Sequence, residues 1–304
     1  MTEFCRTFPE SWMNILTNPA KKPEWWKEIL GYRFRDIAGN EQPLILAVRK
    51  DYLNAYVEGQ SVMRIRFDNK TEPKHLQAEI HYKYLGGEYR IFDGIEVDRL
   101  RYLHKKSLDQ WVKKAQVFAK LKSGNDVFSE KQGVAVIAAN HPRVIDVEMA
   151  LPGLTAPRID LVALERAGSA IKIVFYEAKL FSNPALRARS NEPKVLEQLR
   201  TYEGWLSSGD RKAEVIKAYR NACSLLTRLR KMQGVPVDGL IDEASIPGSP
   251  LTVDPKPRLI IFGPQTIKNW PPHEAALRQA GVTGPRLIIE EHPKDVKLPK
   301  DTRD

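Results

Sequence analysis

The chain has 304 residues, 42% apolar and 28% charged. That is long enough for one or two domains with full cores and too apolar for global disorder. Its 48 Lys and Arg against 38 Asp and Glu give a net +10, and two cysteines exclude a disulfide-framed secreted fold. Residues 106–232 hold most of the excess, with 22 Lys and Arg against 13 Asp and Glu, a net +9. A localised basic segment points to a polyanionic partner, of which nucleic acid is the commonest, or to a solvated helix surface. The first residues, MTEFCRTFPESW, lack a basic stretch followed by an apolar one, and apolar runs such as Gly133–Ala139 are far short of a membrane span. The expectation is a cytoplasmic protein with no membrane association.

In chain order, the first forty residues are rich in tryptophan (Trp12, Trp25, Trp26), and EWWKEIL after Pro23 reads as a helix start. Such aromatics are more often core than stacking platforms. Leu44–Lys50, Tyr52–Glu58 and Val62–Asp68 are short β-rich segments, and Leu76–Tyr84 alternates apolar and polar residues. Period two with one wet face means an antiparallel meander, with Gly86-Gly87 marking a turn. From Ser107, a plausible N-cap, the pattern becomes helical: Leu108, Trp111, Val112, Ala115, Phe118 and Ala119 form one stripe. This divides the chain into a β-rich N-terminal module, residues 1–105, and an α/β module, residues 106–304.

The second module reads as strands at Val144–Leu151, Arg158–Leu164 and Ile171–Leu180, helices at about 193–207 and 211–232, and a Pro/Gly/Ser-rich loop at about 247–257. Two similar strands, PRLIIF and PRLIIE, follow with a helix between them that stops at Gly281. No HExxH, CxxC, GxSxG or GxxxxGK[ST] pattern occurs, which leaves zinc hydrolase, serine hydrolase and P-loop readings without their motifs.

Each of the three middle strands is apolar yet carries acid in its interior. Asp146 and Glu148 are two apart in the first, Asp160 lies between Ile159 and Leu161 in the second, and Glu177 and Lys179 share a face of the third. Interior carboxylates are costly unless paired or bound to a cation. Two or three of them with a backbone carbonyl make a hard oxygen site suited to Mg²⁺, with Mn²⁺ able to substitute, and a lysine two residues along can hold a water or offset charge in phosphodiester hydrolysis.

Asp160 followed after 16 residues by Glu177-Ala178-Lys179 resembles the active-site signature of the PD-(D/E)XK nuclease superfamily. The resemblance covers about half the chain, Ser107 to Phe262. It implies a restriction-endonuclease-like mixed sheet flanked by helices, in the order helix, strand, strand, strand, helix, strand. It implies that Asp160 and Glu177 hold Mg²⁺, helped by the Ala178 carbonyl, and that Lys179 serves the attacking water. Gln198, with Tyr202 one turn on, takes the place of a glutamine many members carry. For a further upstream acid the choice falls on Glu148, with Asp146 and Glu130 as rivals. The Pro-Asp pair is absent: Ile159 precedes Asp160 and the nearest proline is Pro157. Arg158, Arg187 and Arg189 are the expected nucleic-acid contacts. The function expected is metal-dependent hydrolysis of DNA, endonucleolytic, by a protein similar to two-part restriction or phage-defence nucleases. A homodimer would serve cleavage of both strands. The alternative is a catalytically inactive nucleic-acid-binding or protein-binding member on the same fold.

Overall fold

The computed structural model describes residues 3–20, 22, 24–67, 76–80, 84, 105–121, 127–153, 158–188 and 192–301. Pro23, the Gly86-Gly87 turn and Arg189 lie outside them. Two short helices open the chain, α1 (Glu10–Thr17) and α2 (Glu24–Gly31). Their apolar spacing buries Trp12, Met13 and Leu16 from one and Trp26, Ile29 and Leu30 from the other, so these tryptophans are core.

A hairpin of β1 (Arg33–Arg35) and β2 (Glu41–Pro43) leads into an antiparallel meander. Its strands are β3 (Ile45–Val48), β4 (Leu53–Val57), β5 (Gln60–Phe67) and β6 (Leu76–Ile80), paired in chain order. The two-residue period acts as expected in β5, where Met63 and Ile65 are buried and Arg64 and Arg66 exposed. Helix α3 (Lys105–Leu121) begins two residues before Ser107, which sits in its first turn rather than at a cap. Leu108, Trp111, Val112, Ala115 and Ala119 form its buried stripe.

Helix α4 (Glu130–Asn140) was not legible as a helix in the sequence. It is buried on more than one side and so has no one-sided apolar stripe: Gly133, Val134, Val136 and Ile137 are all covered. Ser129 and Gln132 close a reciprocal capping box at its start.

Three antiparallel strands follow, β7 (Val144–Met149), β8 (Ile159–Ala167) and β9 (Ala170–Leu180). Then come α5 (Val195–Ser207), α6 (Gly209–Gln233) and a short α7 (Gly239–Ser245). Strand β10 (Leu251–Val253) forms inside the segment expected to be loop, by pairing in parallel with the start of β9. Strand β11 (Arg258–Phe262) pairs in parallel with the end of β9. Helix α8 (Trp270–Gln279) then crosses to β12 (Leu287–Glu290), parallel to β11. The result is a mixed α/β chain whose main sheet runs β12-β11-β9-β8-β7, with β10 also on β9.

One apolar cluster joins Trp12, Trp26 and Ile65 to Trp111, Ile145 and Tyr219, so packing is continuous across residue 105. Polar groups lock the same junction. Asp146 is 3% exposed. It accepts from Arg6 Nε at 2.9 Å, Arg49 Nη1 at 2.5 Å and Tyr219 Oη at 3.0 Å. On the main sheet, Arg258 and Glu165 make a fully buried bidentate pair, both contacts 2.8 Å, beside the Tyr176 hydroxyl. This pair ties β11 to β8 across β9. Cys5 and Cys223 are free thiols. Among the described residues, no helix is long and apolar enough to cross a membrane.

Candidate active site

The register that sets Leu161 against Tyr176 places Asp160 across from Glu177 at the end of the β8–β9 ladder. The last β8–β9 pair is Leu161–Tyr176, and just past it the Ala178 N–H donates to Asp160 Oδ2 at 2.8 Å instead. Glu177 is 1% exposed and Lys179 7%. Alternation puts them on one face of β9, and the Lys179 ammonium bonds Glu177 Oε1 and, at 3.2 Å, the Ala178 carbonyl. From α5, Gln198 donates its amide to Glu177 Oε1 and to the Tyr202 hydroxyl, both at 2.6 Å. Tyr202 Oη lies 3.2 Å from Glu177 Oε2 and 3.3 Å from the Arg158 carbonyl. The spacing of four in α5 is what lets these two side chains grip one carboxylate.

The structure therefore brings Asp160, Glu177, Lys179 and Gln198 together. The third carboxylate is Glu130, in the first turn of α4. Its Oε1 is 3.6 Å from Lys179 Nζ, and its Oε2 accepts from the Leu180 N–H at 3.2 Å and Asn183 Nδ2 at 2.8 Å. Glu148, the preferred upstream acid, does not join this network. The ladder sets it opposite Asp160, but a φ of 53° turns its carboxylate to Lys131 Nζ at 2.6 Å and Arg158 Nη1 at 3.7 Å. Asp146 does not share its outlook, being held by Arg6 and Arg49. Asn183 was not singled out in the sequence. The capping residues Ser129 and Gln132 were the signal that would have placed Glu130 at a helix start. Arg187 is exposed just past the turn Pro184–Leu186 that follows β9.

Burial, together with the Glu177 and Glu130 carboxylates, pushes Asp160 well above the usual carboxylate range. Burial also raises Glu177, although Lys179 and the Tyr202 hydroxyl pull the other way. Burial works against the Lys179 ammonium, but Glu177, Glu130 and Asp160 outweigh it and hold its pKa above the ordinary lysine value. Burial and then Glu177 raise Tyr202, so its hydroxyl keeps its proton.

Among the described residues, no three His, Cys, Asp or Glu side chains stand already arranged as a coordination shell. Here the Lys179 ammonium sits between Glu177 and Glu130. The donor chemistry nonetheless fits a hard divalent cation. Glu130, Asp160, Glu177 and the Ala178 carbonyl supply only oxygen, and with all three carboxyls ionised, as a cation would require, they outnumber the one ammonium by two charges. Comparison with protein-family models, with curated proteins and with solved structures finds no match for the chain.

Proposed function

We propose that the chain is a metal-dependent nuclease that hydrolyses phosphodiester bonds, with DNA preferred. One observation carries this reading: Asp160 and Glu177 from adjacent strands, Lys179 from the same strand as Glu177 and Gln198 from the next helix converge with Glu130 in one cluster of hydrogen bonds and ion pairs, Asp160 through the Ala178 N–H and Glu130 through Lys179. The order α4, β7, β8, β9, α5, β11 also agrees with a restriction-endonuclease-like core of the PD-(D/E)XK kind.

Asp160, Glu177, Glu130 and the Ala178 carbonyl are the groups that would hold Mg²⁺ or Mn²⁺. The ion supplies Lewis-acid charge to the phosphate and a lowered pKa to bound water. Glu177 is clamped by Gln198 and Tyr202, so its carboxylate keeps its aim without losing rotamer freedom at each turnover. Lys179 works as a cation. With its proton held by three carboxylates, it orients water or a phosphate oxygen by donation and offsets charge that grows on the phosphate in the transition state. Gln198 is a positioning residue, because its amide touches Glu177 and Tyr202. Cutting both strands would call for two copies of the site, as a homodimer provides.

The test is cleavage of plasmid and single-stranded DNA with Mg²⁺ or Mn²⁺, comparing wild type with Lys179→Ala. The reading expects metal-dependent cleavage that falls by about 10²–10³ in the variant, the scale of losing one stabilising donor. A wild type that binds DNA and never cuts it with either metal overturns the reading and leaves a binding protein.

A further inference from the structure

A cleft of about 490 Å³ lies between the N-terminal meander and the end of β7, with Lys131 of α4 and Arg158, just before β8, in its wall. Six cations line it: Arg6, Arg49, Lys50, Arg64, Lys131 and Arg158. Against them stand Glu3 and Glu148 in the wall and the buried Asp146 behind it, which leaves a net +3. Two of the six are spent on Asp146, and Lys131 and Arg158 share Glu148. Lys50 and Arg64 are exposed on the meander side. The Arg64 guanidinium carbon lies 5.5 Å from the centre of the Tyr52 ring, a cation–π contact that keeps the charge on the cleft side of the meander.

The cleft adjoins the cluster at two points. Lys131 follows Glu130 in α4, and Arg158 stands two residues before Asp160. The Arg158 carbonyl and Glu177 Oε2 contact the same Tyr202 hydroxyl. The cleft wall and the cluster are thus neighbours along the chain at α4 and at the start of β8.

We infer that this cleft seats phosphates of a nucleic-acid strand next to the scissile one, with Lys50 and Arg64 making the N-terminal module a wall of the substrate groove. The role in cleavage rests on the nuclease reading, whereas the binding does not. A volume near the lower half of the usual range for small-ligand pockets suits one or two phosphate-bearing units. A strand and a free nucleotide offer the same phosphate chemistry, so the experiment separates them.

Fluorescence anisotropy with a labelled single-stranded 20-mer, in EDTA, is measured for the full chain, Lys50→Gln/Arg64→Gln and Arg158→Gln. The double variant should bind at least tenfold more weakly, and its slope of log affinity against log salt should fall by about 1.4, the value for two lost contacts to a single strand. Arg158→Gln should weaken binding in the same direction. Unchanged affinity and slope in a double variant that melts like the parent would overturn the inference. Displacement of the 20-mer by micromolar dTMP would also overturn it, by making the cleft a free-nucleotide site. If the wild type fails to cut with Mg²⁺ while the cleft variants lose binding, the nuclease reading falls and the cleft stands. If the double variant binds and cuts like the parent, the cleft falls and the nuclease reading stands.

Discussion

Asp146→Asn should be among the most damaging single substitutions in the chain, although the side chain keeps its size. Asp146 is buried, and its two oxygens face Arg6 and Arg49, which are 6% and 8% exposed. Burial alone would raise its pKa, but Arg49 and Arg6 outweigh burial and hold it below the usual value. A neutral amide leaves two buried guanidinium groups without their counter-charge. Removing one partner of a buried pair costs about 3–5 kcal/mol, and two stranded cations put the expectation in the upper half of that range. Against a total stability of about 5–15 kcal/mol this is a large fraction. At roughly 2–4 °C per kcal/mol for a chain of this size, the melting temperature should drop by about 10 °C. The assay is urea unfolding followed by tryptophan fluorescence at pH 7 and pH 4. A depressed folded-state pKa means that the stabilisation is present above the ordinary aspartate value near 4 and is lost as pH falls through the folded value. The gap between parent and variant should therefore be full at pH 7 and shrink under acid. A loss under about 1 kcal/mol at pH 7 would refute the reasoning. So would a folded variant that has lost Mn²⁺ affinity, since that would return Asp146 to the metal.

Asp160→Asn should do the opposite to stability. Its folded pKa is raised by burial, Glu177 and Glu130, so its contribution is favourable below the unfolded value and lost as pH rises through the folded one. The variant should melt higher than the parent in EDTA at pH 7.5, lose that advantage near pH 4, and be inactive; a lower melting point at pH 7.5 would count against the account. Glu130→Gln should weaken both Mn²⁺ binding and cleavage by at least about tenfold, the scale seen on losing even an outer partner of a metal site, and parental values in both assays would remove Glu130 from the site. Mn²⁺ affinity should decline as pH falls through the raised Asp160 and Glu177 values, so the loss measured by titration calorimetry begins above the usual carboxylate range near 4. Gly133→Ala should cost about 1–3 kcal/mol in urea, because a Cβ there would stand 2.1 Å from the Phe262 ring in the packed α4–sheet interface; an unchanged midpoint would show that the ring can move.

The sequence exposed what periodicity and spacing can carry. Alternation in the meander, the stripe of α3 and the antiparallel trio β7–β9 all appear close to the expected places. The convergence of Asp160, Glu177, Lys179 and Gln198 was an expectation from the resemblance to the PD-(D/E)XK signature, and strand period by itself set only the shared face of Glu177 and Lys179. Helix α4 was hidden because burial on several sides erased its stripe. Strand β10 was hidden because three residues gain strand geometry only from the edge of β9. Glu148 misled because a strand period assumes negative φ, and its 53° breaks the alternation with Asp146. Asp146 showed no sign of its partners, since Arg6 and Arg49 lie about a hundred residues or more away in the chain. The Glu165–Arg258 pair was invisible for the same reason.

The central claim is that Glu130, Asp160 and Glu177, with Lys179 beside them, enclose one divalent ion. Titration calorimetry with Mn²⁺ on the full chain at pH 7.5 tests it most directly. The account predicts one saturable site in the wild type and none in Asp160→Asn, with Asp146→Asn, where folded, retaining it. Equal Mn²⁺ binding by wild type and Asp160→Asn, or none by either, would contradict it.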